Sequence, residues 1–345
     1  MQLTQEQQGI LAGSWGETMA KVMETLVRYG ELYHADAMIP VTGKYNHLVT
    51  SFGLKALTPV YELMHRLIAE GAVSGVKFSA DPRPLDRNVP SSFLQDVIFK
   101  HFMYSRQDFY EGQLQKLGLM DRDAFTCTCY MEEVGNTPKP GDVLSWSESS
   151  AVVYANSVLA ARCNRNSGII DLMGAICGFV PRFGLLTDEG RKARWIVDIR
   201  TTKKPEAQLL GSAIGMKVME DVPYIRGLDR WLGTLNEDAR AYLKDMGAAA
   251  ASNGAVSLYH VVVIPTVFTA APAVIRRFNE TPYAERLRRT GVIVSYICPL
   301  MYMNNPLSER MPVITSSNKL RTYTSARYYT DDEILLQITK GGNHA

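Results

Sequence analysis

Short apolar stretches alternate with amphipathic helical stretches along most of the 345 residues. This alternation confines the chain to α/β layers, because a helix that buries one face and a strand that buries both have to share a core. Thr4 with Gln7 three residues on forms a capping box, and Ile10, Leu11, Trp15, Met19, Val22, Met23 and Leu26 recur at helical spacing up to Gly30. One first amphipathic helix is expected there. Residues 37–41 read as a strand, 54–69 as a helix, and 72–78 as a strand ending in the turn-rich Ser79-Ala-Asp-Pro-Arg-Pro-Leu-Asp. The helical pattern of 93–117 follows, and strands recur at 259–264 and 292–297.

At about 150 residues per domain the length fits two or three lobes. The turn Gly135-Asn-Thr-Pro-Lys-Pro-Gly-Asp and the small-residue run Gly247-Ala-Ala-Ala-Ala-Ser-Asn-Gly divide the chain into three expected α/β lobes, 1–135, 136–246 and 247–345, around a central cleft.

The charge balance, 37 Lys and Arg against 35 Asp and Glu, gives a net +2 with both signs interspersed, so no electrostatic footprint argues for nucleic acid or an anionic membrane. The most apolar stretch, 261–275, is broken by Pro265 and Pro272 and is too short to cross a bilayer. The first residues have neither the basic start nor the apolar core of a secretory signal, which places the expected protein in the cytoplasm with reduced cysteines.

No dinucleotide fingerprint, phosphate-binding loop, nucleophile elbow or zinc-protease helix occurs. Two segments are instead dense in small polar residues. In residues 144–168, Glu148-Ser149-Ser150 stands just before an apolar helical run, so hydroxyls and backbone amides gather at a helix N-terminus, a natural anion site. Asn156 and Ser157 sit on that helix, and Asn164 and Arg165 are expected at its far end. A capped, close-packed helix accounts for the same residues. In 311–319 a strand runs into Ser316, Ser317, Asn318 and Lys319, the kind of strand end at which open α/β sheets bind ligands; a solvated turn and helix cap is the alternative.

Cys127 and Cys129, at i and i+2, would share a face on a strand, but their spacing is not a zinc hook. Cys298 sits like a strand-end ligand, Cys163 flanks Asn164-Arg165, and Cys177 lies in an apolar stretch; a buried, inert thiol is the commoner state of each. Of the six histidines only His47, in a loop after a strand, is placed for a site.

The segments Thr126-Cys-Thr-Cys-Tyr, Trp146-Ser-Glu-Ser-Ser-Ala-Val-Val-Tyr-Ala-Asn-Ser-Val-Leu-Ala-Ala-Arg with Asn164-Arg165, Gly254-Ala-Val-Ser-Leu-Tyr-His, Cys298-Pro and Thr315-Ser-Ser-Asn-Lys together resemble the aconitase X family over most of the chain. The resemblance implies aconitase-like domains 1 to 3 without the swivelling domain, and a separate small swivelling subunit as partner in a heteromeric complex. It implies a hydro-lyase that eliminates water from a small hydroxy-carboxylate, similar to cis-3-hydroxy-L-proline or phosphomevalonate dehydratases. By position Cys127 and Cys298 would hold iron, as an iron-sulfur cluster or a single ion, and Cys163 would supply a third thiolate, since the further Cys that members often carry near the C-terminus is absent. Ser317, Ser316, Lys319 and Glu148 are the implied catalytic groups. Ser149, Ser150, Asn156, Asn164, Arg165 and His47 are the implied substrate contacts, although Tyr45-Asn46-His47 departs from the family pattern. A repurposed subunit that only binds a small acid, and a metal-free dehydratase or isomerase, are the alternatives.

Overall fold

A computed structural model describes residues 1–49, 57–83, 92–121, 124–233, 235–261, 267–284, 293–295, 313–316 and 318–334. In chain order the elements are α1 (Gln5–Leu11), α2 (Glu17–Leu32), β1 (Met38–Pro40), β2 (Asn46–Leu48), α3 (Thr58–Ala69), β3 (Phe78–Ala80), α4 (Phe93–Asp96), which continues as a π-helical stretch Val97–Met103, and α5 (Gln107–Leu117). There follow α6 (Ser149–Ser157), α7 (Gly168–Cys177), β4 (Phe179–Pro181), β5 (Trp195–Asp198), α8 (Ala207–Val218), β6 (Pro223–Arg226), α9 (Asp229–Leu232) and α10 (Glu237–Gly254). The last are β7 (His260–Val261), β8 (Val267–Thr269), α11 (Pro272–Asn279), β9 (Ile293–Ser295), β10 (Ile314–Thr315), α12 (Asn318–Tyr323) and β11 (Arg327–Tyr328).

The chain divides into two compact units. The first comprises 1–191, 206–222 and 243–259, so residues expected in the first and middle lobes share it; the second comprises 192–205, 223–242 and 260–345. In the first unit β2 and β3 pair in parallel, His47 opposite Ser79, while β1 and β4 pair antiparallel. The core beneath them is built from Met23 and Leu26 of α2, Met64 and Leu67 of α3, Leu114 and Leu117 of α5 and Ile176 of α7, all essentially solvent-free. Each such side chain contributes about 1.5–3 kcal/mol by leaving water. The second unit has a parallel sheet in the order β5-β6-β7, and the parallel pairs β8-β9 and β10-β11.

Several local expectations are corrected. The Thr4 capping box forms, but the first helix is two helices, because Gly13 and Gly16 adopt φ of 90° and 96° and break the run between α1 and α2. The helical pattern of 93–117 is split by the π-helical stretch and a break at 104–106. The run 144–168 does not carry one helix to Asn164: α6 ends at Ser157, Ala160 turns at φ 57°, and residues 160–162 return to hydrogen-bond 141–144. Close helix packing also depends on glycine. A Cβ at Gly254 of α10 would stand 1.9 Å from the Gly215 carbonyl of α8, so that approach admits no side chain. Among the described residues no helix is long and apolar enough to cross a membrane.

Candidate active site

Short parallel stretches lie side by side in the first unit: Phe125 bridges Ala80 of β3, β3 pairs with β2, His47 of β2 bridges Trp146, and Val143 bridges Arg162. All of these pairings are parallel, so their C-terminal ends point the same way. One to three residues beyond those ends stand Asp81, Cys127, Glu148 and Arg165. Open α/β sheets present ligand-binding groups at this edge, because neighbouring strands end together there and release their loops to one side. The groups interact electrostatically: Asp81 and Glu148 both act on Cys127, and Glu148 acts on Arg165.

Glu148 is the N-cap of α6. Its carboxylate accepts hydrogen bonds from the Ser150 amide at 3.0 Å, the Ser150 hydroxyl at 2.7 Å, the Ser149 hydroxyl at 3.3 Å and the Ala151 amide. The amides and hydroxyls expected to hold a substrate anion are therefore engaged by the protein's own carboxylate, which satisfies the orphan donors of the helix. Glu206 caps α8 in the same way, through the amides of Gln208 and Leu209.

Arg165 is different. Its backbone takes φ of +24°, unusual for a residue with a Cβ, its side chain is half-buried, and Nη1 has no hydrogen-bond partner among the described residues. Burial lowers its pKa and the Glu148 charge partly restores it. The strained backbone holds a guanidinium nitrogen that is buried and unpartnered among the described residues, which leaves a donor for an anion.

The other carried-over residues brace this edge. The Asn156 carboxamide donates to the carbonyls of Cys163 and Ser257, both at 2.9 Å, and accepts from the Cys163 amide at 3.0 Å and Arg191 Nη1 at 3.1 Å. Asn164 donates to the Phe183 carbonyl at 2.9 Å and accepts from the Leu185 amide at 2.7 Å. His47 lies in β2 and not in a loop, and it is fully buried. Its Nδ1 is 2.9 Å from Ser79 Oγ, its Nε2 is 3.1 Å from Asp81 Oδ1, and its ring meets Trp146 edge to face.

The cysteines separate. The Thr126 hydroxyl accepts from the Thr128 amide and turns the segment, so Cys127 is exposed while Cys129 is buried, and they share no strand face. Burial, then Asp81 and Glu148, raise the Cys127 pKa; a cation bound beside it would be held by the same charges. Cys163 is fully buried and its Sγ is engaged with the backbone of Trp146, accepting from the amide at 3.4 Å and donating to the carbonyl at 3.3 Å. Burial drives its pKa far up, and with its Sγ engaged by the Trp146 backbone on both counts it is placed as a packing thiol. Among the described residues no three His, Cys, Asp or Glu side chains gather around one point, so these residues do not complete a cluster site. Cys298 and Ser317 lie outside the described residues. Ser316 is an exposed bend between β10 and α12, and Lys319 belongs to α12 of the second unit.

Three participants escaped the sequence reading: Asp81, Ser79 and Asp171. The first two were legible only as a turn after a strand. Asp171, on α7, is fully buried; its Oδ1 accepts from Ser145 Oγ at 2.9 Å and Asn166 Nδ2 at 3.1 Å, its Oδ2 has no partner among the described residues, and burial pushes its pKa up to about 7.

Comparison with known proteins agrees with this architecture. The crystal structure of Thermococcus kodakaraensis aconitase X in its holo-form matches at a TM-score of 0.62 and 26% identity, covering 98% of this chain and 99% of that one. The phosphomevalonate dehydratase large subunit of Thermococcus kodakarensis is 34% identical over 266 residues, 76% of this chain and 61% of that protein. The chain thus spans about three fifths of that relative's length. A cis-3-hydroxy-L-proline dehydratase of Hypocrea jecorina is 32% identical over 159 residues, 44% of this chain and 26% of its own length. The family model described as the aconitase X first domain matches residues 1–189, and that described as the second domain matches 193–286. With the first-domain match alone taking in more than half of the residues, the chain belongs to the aconitase X family.

Proposed function

We propose that this chain is the large subunit of a hydro-lyase that eliminates water from a small hydroxy-carboxylate, working with a small subunit. The observation that carries the reading is Arg165, three residues past the end of its parallel stretch, whose buried Nη1 is unpartnered among the described residues and whose charge is coupled to Glu148. In β-elimination a base removes the proton α to the carboxylate and hydroxide departs as water, while negative charge builds on the carboxylate. Arg165 pairs with that carboxylate or with a phosphate on the same molecule, and its fixed charge needs no reorganisation as the charge builds. Glu148 keeps α6 capped, and its charge favours the charged guanidinium. Two relatives named as dehydratases, one of phosphomevalonate and one of cis-3-hydroxy-L-proline, support the reaction class.

The cofactor part of the proposal is iron, as a cluster or a single ion, with Cys127 and Cys298 as its thiolates. Cys127 is the sole member of that pair among the described residues. The engagement of Cys163 with Trp146 favours, as a second reading, a subunit that binds a small acid without a cluster.

The test is to co-express the chain with its small subunit, purify the complex without oxygen, and incubate it with phosphomevalonate and with cis-3-hydroxy-L-proline. Loss of 18 mass units on the order of one water per substrate, abolished by Arg165→Ala, is the expected result. Binding of either acid without water loss would leave the second reading standing, and no interaction with either would overturn both. Iron and acid-labile sulfide, measured per chain on the same sample, test the cofactor.

A further inference from the structure

We propose that Asp81 is the residue that recognises the hydroxyl of the ligand, and that His47 and Ser79 position it from behind. The inference rests on the small hydroxy-acid reading above and names a specificity-determining residue for it.

The relay is built by register. His47 and Ser79 are direct partners in the parallel β2-β3 pair, so their side chains leave the same face, and both are fully buried. Asp81 follows β3 by one residue, its amide donating to the Leu48 carbonyl at 3.0 Å, and its side chain reaches Nε2 of His47. The imidazole is thus clamped at both nitrogens, by Ser79 Oγ at 2.9 Å and by Asp81 Oδ1 at 3.1 Å.

The Ser79 hydroxyl meets Nδ1 at 2.9 Å and donates to the Asn46 carbonyl at 3.4 Å. A carboxylate only accepts, so the hydrogen bond between Asp81 Oδ1 and the ring is donated by Nε2. A serine, histidine and aspartate in line look like a nucleophilic triad, but Ser79 is sealed from solvent and no ligand reaches it. The accessible end is the other one: the Asp81 side chain is 24% exposed, and Oδ2 carries no hydrogen bond among the described residues. A carboxylate with one oxygen tied to Nε2 and the other without a donor among the described residues is an acceptor of fixed orientation. It takes a hydrogen bond from a hydroxyl, and it repels a second carboxylate or a phosphate, which is thereby directed to Arg165.

Two measurements test this. The first is the two-bond proton–nitrogen correlation spectrum of the whole chain labelled with 15N-histidine, in which His47 is one of six ring systems and is assigned by Asp81→Asn and Ser79→Ala. A protonated Nε2, perturbed in both variants, is expected. A ring without a proton on Nε2 overturns the relay, as does a spectrum that neither variant changes. The second compares the affinity of the complex for cis-3-hydroxy-L-proline against L-proline and for phosphomevalonate against its 3-deoxy analogue. A preference of at least about tenfold for one hydroxylated member, lost in Asp81→Ala, is expected for a hydrogen bond to a charged acceptor. A preference that survives Asp81→Ala overturns the assignment of Asp81. If the wild-type complex binds neither pair while His47 has the expected tautomer, the hydroxyl-recognition role and the hydro-lyase reading fail together and the relay alone stands.

Discussion

The side chain of Asn156 holds both backbone groups of Cys163, donating to its carbonyl at 2.9 Å and accepting from its amide at 3.0 Å, as a neighbouring strand would. The return segment that ends in Arg165 is therefore anchored by a carboxamide on α6. Arg191 reinforces the anchor, with Nη2 donating to the Asn156 carbonyl at 3.1 Å.

Replacing Asn156 by Ala strands these buried donors and acceptors, each of which costs about 1–3 kcal/mol when left unpaired. Asn156→Ala should lower the unfolding free energy by at least about 2 kcal/mol in a urea titration. A loss within about 0.5 kcal/mol, the range of an ordinary surface substitution, would show that the anchor is dispensable.

Arg165 combines backbone strain with a buried guanidinium nitrogen that has no partner among the described residues. Arg165→Gly removes the left-handed penalty, of order 1–3 kcal/mol for a non-glycine residue, together with the guanidinium. The variant should melt no lower than the wild type and yet lose affinity for phosphomevalonate or cis-3-hydroxy-L-proline by at least about tenfold. A drop in melting temperature with unchanged binding would mean that Arg165 serves packing alone.

Asp171 makes stability depend on pH. Burial raises its pKa from the ordinary 3.8 to about 7, so the native state keeps a proton that the unfolded chain has already released. Its contribution is fully present below pH 3.8 and is lost as pH rises through 7, with a limiting slope of about 1.4 kcal/mol per pH unit for one proton. Asp171→Asn mimics the protonated form and should flatten the fall in stability between pH 5 and 8, as urea titrations at several pH values will read. An unchanged slope in the variant would assign the fall to another group.

Among Cys127, Cys129, Cys163 and Cys177, Cys127 alone is exposed. A brief pulse of iodoacetamide on the native protein, followed by peptide mass spectrometry, should modify Cys127 and spare the other three. Because burial and the charges of Asp81 and Glu148 raise its pKa, the rate should keep climbing as pH passes 9, the ordinary thiol value. Labelling of Cys163 at a comparable rate would contradict its place against Trp146.

The sequence by itself determined the layer type and the family, and marked where helices run but not where they break. Apolar spacing reports burial, so Met23 and Leu26 were readable as core before any coordinates. The Glu148-Ser149-Ser150 start of α6 was readable for the same kind of reason, since capping is a contact over three residues. Tertiary structure decided what those groups are free to do. Whether a helix N-terminus takes a ligand or its own glutamate depends on where one side chain folds back, and whether Cys163 is a ligand or a packing thiol depends on Trp146, 17 residues away in sequence. Asp81 and His47 stand 34 residues apart and meet because two parallel strands place their ends together. Composition and periodicity record each residue's preference for water or for an apolar core; they carry no record of which distant strand ends beside it, and the chemistry of this site is a property of those neighbours.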